Sequence, residues 1–242
     1  MGTAQVETHL KTLFPNYEIL RVDRDSTQTT QSWQKIYNQI HENKPLILLG
    51  TQMLAKGHHF PNVSLVAILD IDSGLFSSDF RAIERTAQLI VQVTGRAGRE
   101  EKKGTVYLQT LRPDHPLFEI LLKKGYRTFA QHSLTERKSA ILPPYRYTAL
   151  IRCESKDQNV NQTFLKQHVN LWQQDTQHHI EVWGPIPAPM AKKAGRYQAH
   201  VLLLSHDRRN LHFYLQSWWK NMLNQKPSTM KLSLDIDPQE LN

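Results

Sequence analysis

The sequence predicts an α/β protein in two parts, and three features carry that prediction. Short apolar runs alternate with polar, helix-length stretches through the first half. The second half follows the order β-α-β-β-α-β. Between them, Leu142-Pro143-Pro144 interrupts a helical pattern where neither helix nor strand continues easily. At 242 residues the chain is longer than one ordinary core needs, so two cores are expected.

Each element has a local reason. Residues 18–23 and 45–49 are apolar runs, and the polar stretch from Thr29 to Glu42 between them has helix length. Residues 63–70 are nearly continuous in apolar side chains, the pattern of a strand buried on both faces. A helix is expected from about Asp79, capped by that aspartate, with Phe80, Ile83, Ala87, Ile90 and Val91 near one stripe. Residues 104–111 read as a further strand, and 112–140 turn helical up to the proline pair. Such alternation predicts a parallel sheet that meets ligands at the carboxyl ends of its strands.

Beyond the prolines, residues 147–155 read as a strand and 159–174 as a helix carrying Val160, Phe164, Leu165, Val169 and Trp172. Strands follow at 180–184 and 198–204, then a helix at 207–223 and a strand at 230–237. This is the ferredoxin-like order. Between the two middle strands lie Pro185, Pro187 and Pro189, then Lys192, Lys193 and Arg196, read as an exposed loop or hairpin. Trp218 and Trp219 sit among Leu211, Tyr214, Leu215 and Met222, as core and rim of their helix. The expected division is a first domain over 1–130, a helical and proline-containing connector over 131–145, and a smaller α+β domain over 146–242.

Composition narrows the function. Lys plus Arg number 30 against 22 Asp plus Glu, a net charge of +8, and the excess is positive in both halves. Such an excess points to a polyanion, nucleic acid before membrane. The one cysteine, Cys153, excludes an internal disulfide framework and any zinc module built on paired cysteines; it reads as a buried strand thiol. No apolar run approaches the roughly 20 residues a bilayer span needs. A signal-peptide pattern is missing from the first thirty residues, so the expected location is cytoplasmic.

The strongest chemical signal is Gln92-Val93-Thr94-Gly95-Arg96-Ala97-Gly98-Arg99. If the preceding helix continues, Gln92, Arg96 and Arg99 fall at i, i+4 and i+7, within roughly 40–60° of one another. An amide and two guanidiniums on one face suit charge gathering on a γ-phosphate. The same octet also fits a plain helix C-terminus, with glycine as cap and arginines against the dipole. A second signal, Gly50-Thr51-Gln52-Met53-Leu54-Ala55-Lys56-Gly57, follows an apolar strand, where backbone N–H groups and the Thr51 hydroxyl suit an anion. It is not a Walker A loop, because Lys56 precedes Gly57 and His58 follows. Asp70 and Asp72 end a strand where an aspartate could hold Mg²⁺, although capping the next turn is the commoner use. The adjacent pairs His58-His59 and His178-His179 diverge, so no metal site is expected.

These motifs, with residues 50–99, 104–126, ERKSAILPPYR and WGPIPAP in order along the chain, resemble the C-terminal part of the primosomal protein N′ family, replication-restart DNA helicases of superfamily 2. Residues 50–57 resemble motif V of that family and 92–99 its motif VI. The resemblance implies a RecA-like second motor lobe followed by the family's C-terminal domain. It implies that Gln92, Arg96 and Arg99 face ATP, with Arg99 as arginine finger, and that Thr51, Gln52 and Lys56 lie along the DNA strand or relay between DNA and nucleotide. The resemblance likewise implies that Gly57 lets the chain pass close to the nucleotide site. Lys192, Lys193 and Arg196 are candidates for a surface that receives the acidic tail of single-stranded DNA-binding protein.

The resemblance further implies ATP with Mg²⁺, held mainly by a first lobe, and zinc in the whole family protein; no ligand for that zinc is in this sequence. Its partners would be forked and single-stranded DNA, single-stranded DNA-binding protein and other primosome proteins. The Walker A loop, the Asp-Glu box and the cysteine-rich insertion would precede Met1. The chain is therefore expected to be a fragment that does not hydrolyse ATP alone. The alternative is a non-catalytic basic module binding single-stranded DNA or the acidic tail.

Overall fold

A computed structural model describes residues 2–23, 30–42, 44–51, 63–77, 79–95, 104–174 and 179–241. Two compact units emerge, one of Met1–Phe76 with Ile83–Tyr126, the other of Ser77–Ala82 with Arg127–Asn242. Helices and strands mix in both, as an α/β chain requires.

The first unit opens with α1 (Thr3–Leu13), which the sequence did not announce: no side chain of it is buried. Glu7 ties it down, meeting Lys11 at 2.7 Å and Arg21 of β1 (Glu18–Val22) at 3.1 Å. After α2 (Thr30–Ile40), β2 (Leu46–Gly50) pairs with β1 in parallel. β3 (Leu65–Ile68) pairs in parallel with β4 (Thr105–Leu108). The apolar run containing β3 is not buried on both faces. Leu65 is 55% and Leu69 52% exposed, and β4 is the sole partner of β3 among the described strands.

Between them lie the short α3 (Asp72–Leu75) and α4 (Ala82–Thr94). α4 buries Ala82, Thr86, Ala87, Ile90 and Val93, a stripe at helical spacing, while Val91, assigned to that stripe from sequence, is exposed. Asp79, which with the rest of Ser77–Ala82 belongs to the second unit, caps the turn that leads into α4. Its carboxylate accepts from the Arg81 amide at 2.9 Å and its carbonyl from Ala82, so it closes the turn that leads into the helix. The helical stretch after β4 comprises α5 (Pro116–Glu119), a π-helical turn (Ile120–Lys124) and α6 (Gly125–Ser139), which from Arg127 belongs to the second unit.

In the second unit, β5 (Tyr147–Ser155), α7 (Gln158–Gln174), β6 (Glu181–Lys193), β7 (Arg196–Ser205), α8 (Arg208–Gln225) and β8 (Lys231–Ile236) follow in order. The sheet runs β6-β7-β5-β8, antiparallel throughout. Alternation along the strands sends Ala149, Ile151, Cys153, Ala199, Val201 and Leu203 to one face. There they pack on Leu165, Val169 and Trp172 of α7 and on Leu211, Leu215 and Met222 of α8. Each buried aliphatic contributes roughly 1.5–3 kcal/mol. Trp172 stacks on Trp218 with centroids 4.9 Å apart, and both Trp218 and Trp219 line the core as half-buried rim. Leu150, Leu202 and Leu204 form the opposite face, covered by Leu241.

β6 is longer than its sequence suggests. It extends to Lys193 through Pro185, Pro187 and Pro189, because an edge strand needs no N–H on its outer side. A bulge after Trp183 makes this possible. Gly184 has φ +120° there, and a Cβ would stand 2.7 Å from the His200 carbonyl oxygen, so only glycine fits.

Candidate nucleotide and nucleic-acid interface

In the first unit, Thr51 directly follows β2 and is exposed, where an anion could meet its hydroxyl. Gln52, Lys56 and Gly57 lie outside the described residues, as do His58 and His59. Gln92 stands half-buried in the last turn of α4, about 100° around the helix from buried Val93. That turn closes with Thr94 Oγ1 donating to the Ile90 carbonyl at 2.9 Å and the Gly95 amide to Val91 at 3.0 Å. α4 is bounded at Thr94, and Arg96 and Arg99 lie outside the described residues.

The aspartates after β3 serve the loops. Asp72 accepts from Thr110 Oγ1 at 2.5 Å and from the Leu111 amide at 2.7 Å, so it clasps the chain leaving β4. The Thr110 hydroxyl, and then the Leu111 amide, hold its carboxyl below the usual carboxylate range. Both oxygens are committed, which leaves little for a cation. Among the described residues no cluster of three His, Cys, Asp or Glu side chains could hold a metal ion. Cys153 lies buried on β5, its thiol pushed up to about 12 by desolvation and donating to Asn161 Oδ1 at 3.2 Å.

The second unit separates the three basic residues grouped by sequence. Lys193 pairs with Arg196, and Lys192 with Tyr197, across the β6–β7 hairpin. Ala194 and Gly195, at φ 48° and 77°, form the two-residue turn that suits strand twist. Lys192 and Lys193 are exposed at this tip, and Lys192 Nζ stands 4.8 Å from the Tyr197 ring centroid. Arg196 is half-buried and used internally. Its Nη2 donates to the carbonyls of Glu154 at 3.1 Å and Thr229 at 2.7 Å.

Sequence reasoning missed a cleft of about 840 Å³ at the start of α8. Tyr147, His206, Arg208, Arg209, His212 and Phe213 line it, with Asp207 and Gln216. Asp207 caps α8, accepting from the Arg209 amide at 2.7 Å and from Asn210 at 3.4 Å. Arg208 lies 6.0 Å from the Tyr147 ring centroid and 3.8 Å from Asp237. His212 Nε2 is buried with no hydrogen-bond partner among the described residues. The run His206-Asp207-Arg208-Arg209 was the available signal: a helix cap followed by paired cations.

Comparison with known proteins fixes the family. Residues 2–101 match the helicase conserved C-terminal domain, and residues 138–239 match the primosomal protein N C-terminal domain. The replication restart protein PriA of Haemophilus influenzae is 47% identical over 242 residues, all of this chain and 33% of that protein. The chain belongs to the PriA family. PriA of Rickettsia conorii is 34% identical over 238 residues, covering 98% of this chain and 36% of that protein. PriA of Bacillus subtilis is 33% identical over 240 residues, covering 98% and 30%. The chain thus spans about a third of its PriA relatives and corresponds to their C-terminal part. No helix among the described residues is long and apolar enough to cross a membrane.

Proposed function

We propose that this chain supplies the second motor lobe and the C-terminal domain of an ATP-dependent 3′→5′ DNA helicase that restarts stalled replication forks and assembles the primosome. The match of residues 2–101 to the helicase C-terminal domain, with Gln92 in the last turn of α4 just ahead of Gly95-Arg96-Ala97-Gly98-Arg99, carries this reading. The parallel pairs β1–β2 and β3–β4 suit a RecA-like lobe, and the order β6-β7-β5-β8 suits a ferredoxin-like domain. The lobe is read over 1–130, the connector over 131–145 and the C-terminal domain over 146–242.

In this account Arg99, with Arg96 and the Gln92 amide, neutralises charge on transferring phosphate oxygens. Thr51, Gln52 and Lys56 hold the DNA strand, and Gly57 leaves room for close backbone approach. ATP with Mg²⁺, bound mainly by the rest of the protein, would supply the phosphoryl chemistry. Asp72 is committed to the Thr110–Leu111 loop and so does not fit as a Mg²⁺ ligand. A single cysteine does not fit a zinc module built on paired cysteines.

The cleft at α8 supports a second element of the proposal. Two arginines, two histidines and two aromatic rings suit a short acidic peptide with an apolar end, such as the tail of single-stranded DNA-binding protein. The experiment for the motor reading is ATP hydrolysis by chain 1–242 with and without single-stranded DNA. No turnover is expected; DNA-stimulated turnover would show that a second lobe is not what this chain supplies.

A further inference from the structure

We propose that residues 239–241 form a strap that positions α4, and with it Gln92, by clamping Ser77–Ala82 to the second unit. In sequence Ser77–Ala82 lies between α3 and α4, yet it is part of the compact unit that also contains Arg127–Asn242. α4 therefore starts in one unit, at Ala82, and runs on in the other. Whatever holds Ala82 holds the start of that helix.

The strap lies on the sheet face opposite α7 and α8. It is led in by Asp237, whose amide donates to the Thr148 carbonyl at 2.8 Å. Arg152 then takes the Glu240 carbonyl, and His200 hydrogen-bonds the Leu241 main chain. The Leu241 side chain covers Leu150, Leu202 and Leu204, while its amide donates to Asp79 Oδ2. Asp79 is 2% exposed, so water offers little in place of that donor.

α6 adds a second hold on the same loop. The guanidinium of Arg137, itself buried, stands 5.3 Å from the Phe80 ring centroid. Inside the loop the Asp79 amide donates to Ser77 Oγ at 3.2 Å, and the Asp79 carbonyl accepts from Ala82 at 2.9 Å. The loop is thus fixed to the second unit through Asp79 and Phe80 and passes that fixity to Ala82. α4 has 13 residues, a rod of about 20 Å, so a tilt at Ala82 becomes a displacement at Gln92. Misplacing a phosphate-facing group by about 1 Å costs up to about 10²-fold in rate.

The rate effect rests on the motor reading above, whereas the clamp is tested without ATP. Amide hydrogen exchange of chain 1–242 is compared with that of a chain ending at Asp237 and of Leu241→Ser, with Leu241→Met as the volume-conserving control. Peptides over residues 77–94 should exchange about 10-fold faster or more in the first two and at the original rate in the control, while α7 keeps its protection. Unchanged exchange over 77–94 would overturn the proposal. Equal acceleration over α7 would do so too, since the strap would then serve only the stability of its own unit.

The rate is read in Haemophilus influenzae PriA carrying residues 1–242 in place of its C-terminal third. There Leu241→Ser should lower kcat for DNA-stimulated ATP hydrolysis about 10-fold or more with KM for ATP little changed, and Leu241→Met should keep it. If Arg99→Ala lowers hydrolysis and Leu241→Ser does not, the strap proposal falls and the motor reading stands. If Leu241→Ser speeds exchange while Arg99→Ala leaves hydrolysis intact, the clamp stands and the motor reading falls.

Discussion

Asp79 and Leu241, 162 positions apart, are joined by a 3.2 Å hydrogen bond from the Leu241 amide to Asp79 Oδ2. The other carboxylate oxygen holds the Arg81 amide. One buried side chain thus closes the turn over residues 79–82 and fastens the last residues of the chain, all within the second unit. Leu241 in turn covers Leu150, Leu202 and Leu204, and Arg152 reaches the Glu240 carbonyl at 2.9 Å. The segment after β8 is thus a structural part of the second unit.

Replacing Asp79 with Ala leaves two amide donors without that acceptor and should destabilise the second unit by about 1–3 kcal/mol. Urea unfolding followed by tryptophan fluorescence reads it, since Trp172, Trp183, Trp218 and Trp219 all lie there. A change within about 0.5 kcal/mol would mean that the clasp contributes nothing.

His200, 3% exposed on β7, is held below the usual histidine range, first by burial and then by the Arg152 charge. The folded chain therefore prefers it neutral, while the unfolded chain takes up a proton near pH ~6.5. Stability should be level above that pH and fall as pH drops from about 6.5 toward the folded value, the unfolded state binding more protons. His168, shifted the same way by burial, adds to the slope. Urea midpoints at pH about 7.5 and 5.5 should differ less in His200→Gln than in the unsubstituted chain. An unchanged difference would contradict this assignment.

Cys153 should not react with thiol reagents in the folded chain, because only the thiolate attacks and burial holds the thiol up to about 12. Its modification rate should equal the rate of unfolding in urea. Fast labelling under native conditions would show that β5 is accessible.

Much of this fold is written locally. The strand read over 147–155 is β5, Tyr147–Ser155, because its alternating apolar side chains are buried by neighbours on both sides of the strand. β6 was cut short at 184 because three prolines read as a loop; its edge position, which lets it run to Lys193, is a property of the sheet. Asp79 read as a helix cap, and its bond to Leu241 depends on a partner no local pattern reveals. Arg196 looked like its neighbours Lys192 and Lys193, yet its partners Glu154 and Thr229 come from β5 and the approach to β8. The α8 cleft escaped notice because it assembles Tyr147 with residues 206–216, which are far apart in sequence. For residues 50–57 and 92–99 the resemblance to motifs V and VI carried the motor reading, since spacing alone also fits a plain turn and a plain helix end. The structure describes Thr51 and Gln92 alone among the motor candidates.

By the motor function proposed above, Arg99 reaches a nucleotide bound by another part of the whole protein. Its most direct test replaces the C-terminal third of Haemophilus influenzae PriA, 47% identical to this chain, with residues 1–242 and compares Arg99 with Arg99→Ala. DNA-stimulated ATP hydrolysis should fall by about 10³-fold or more while oligonucleotide binding stays the same. Hydrolysis that survives the substitution, or DNA binding that falls in parallel with it, would contradict the account.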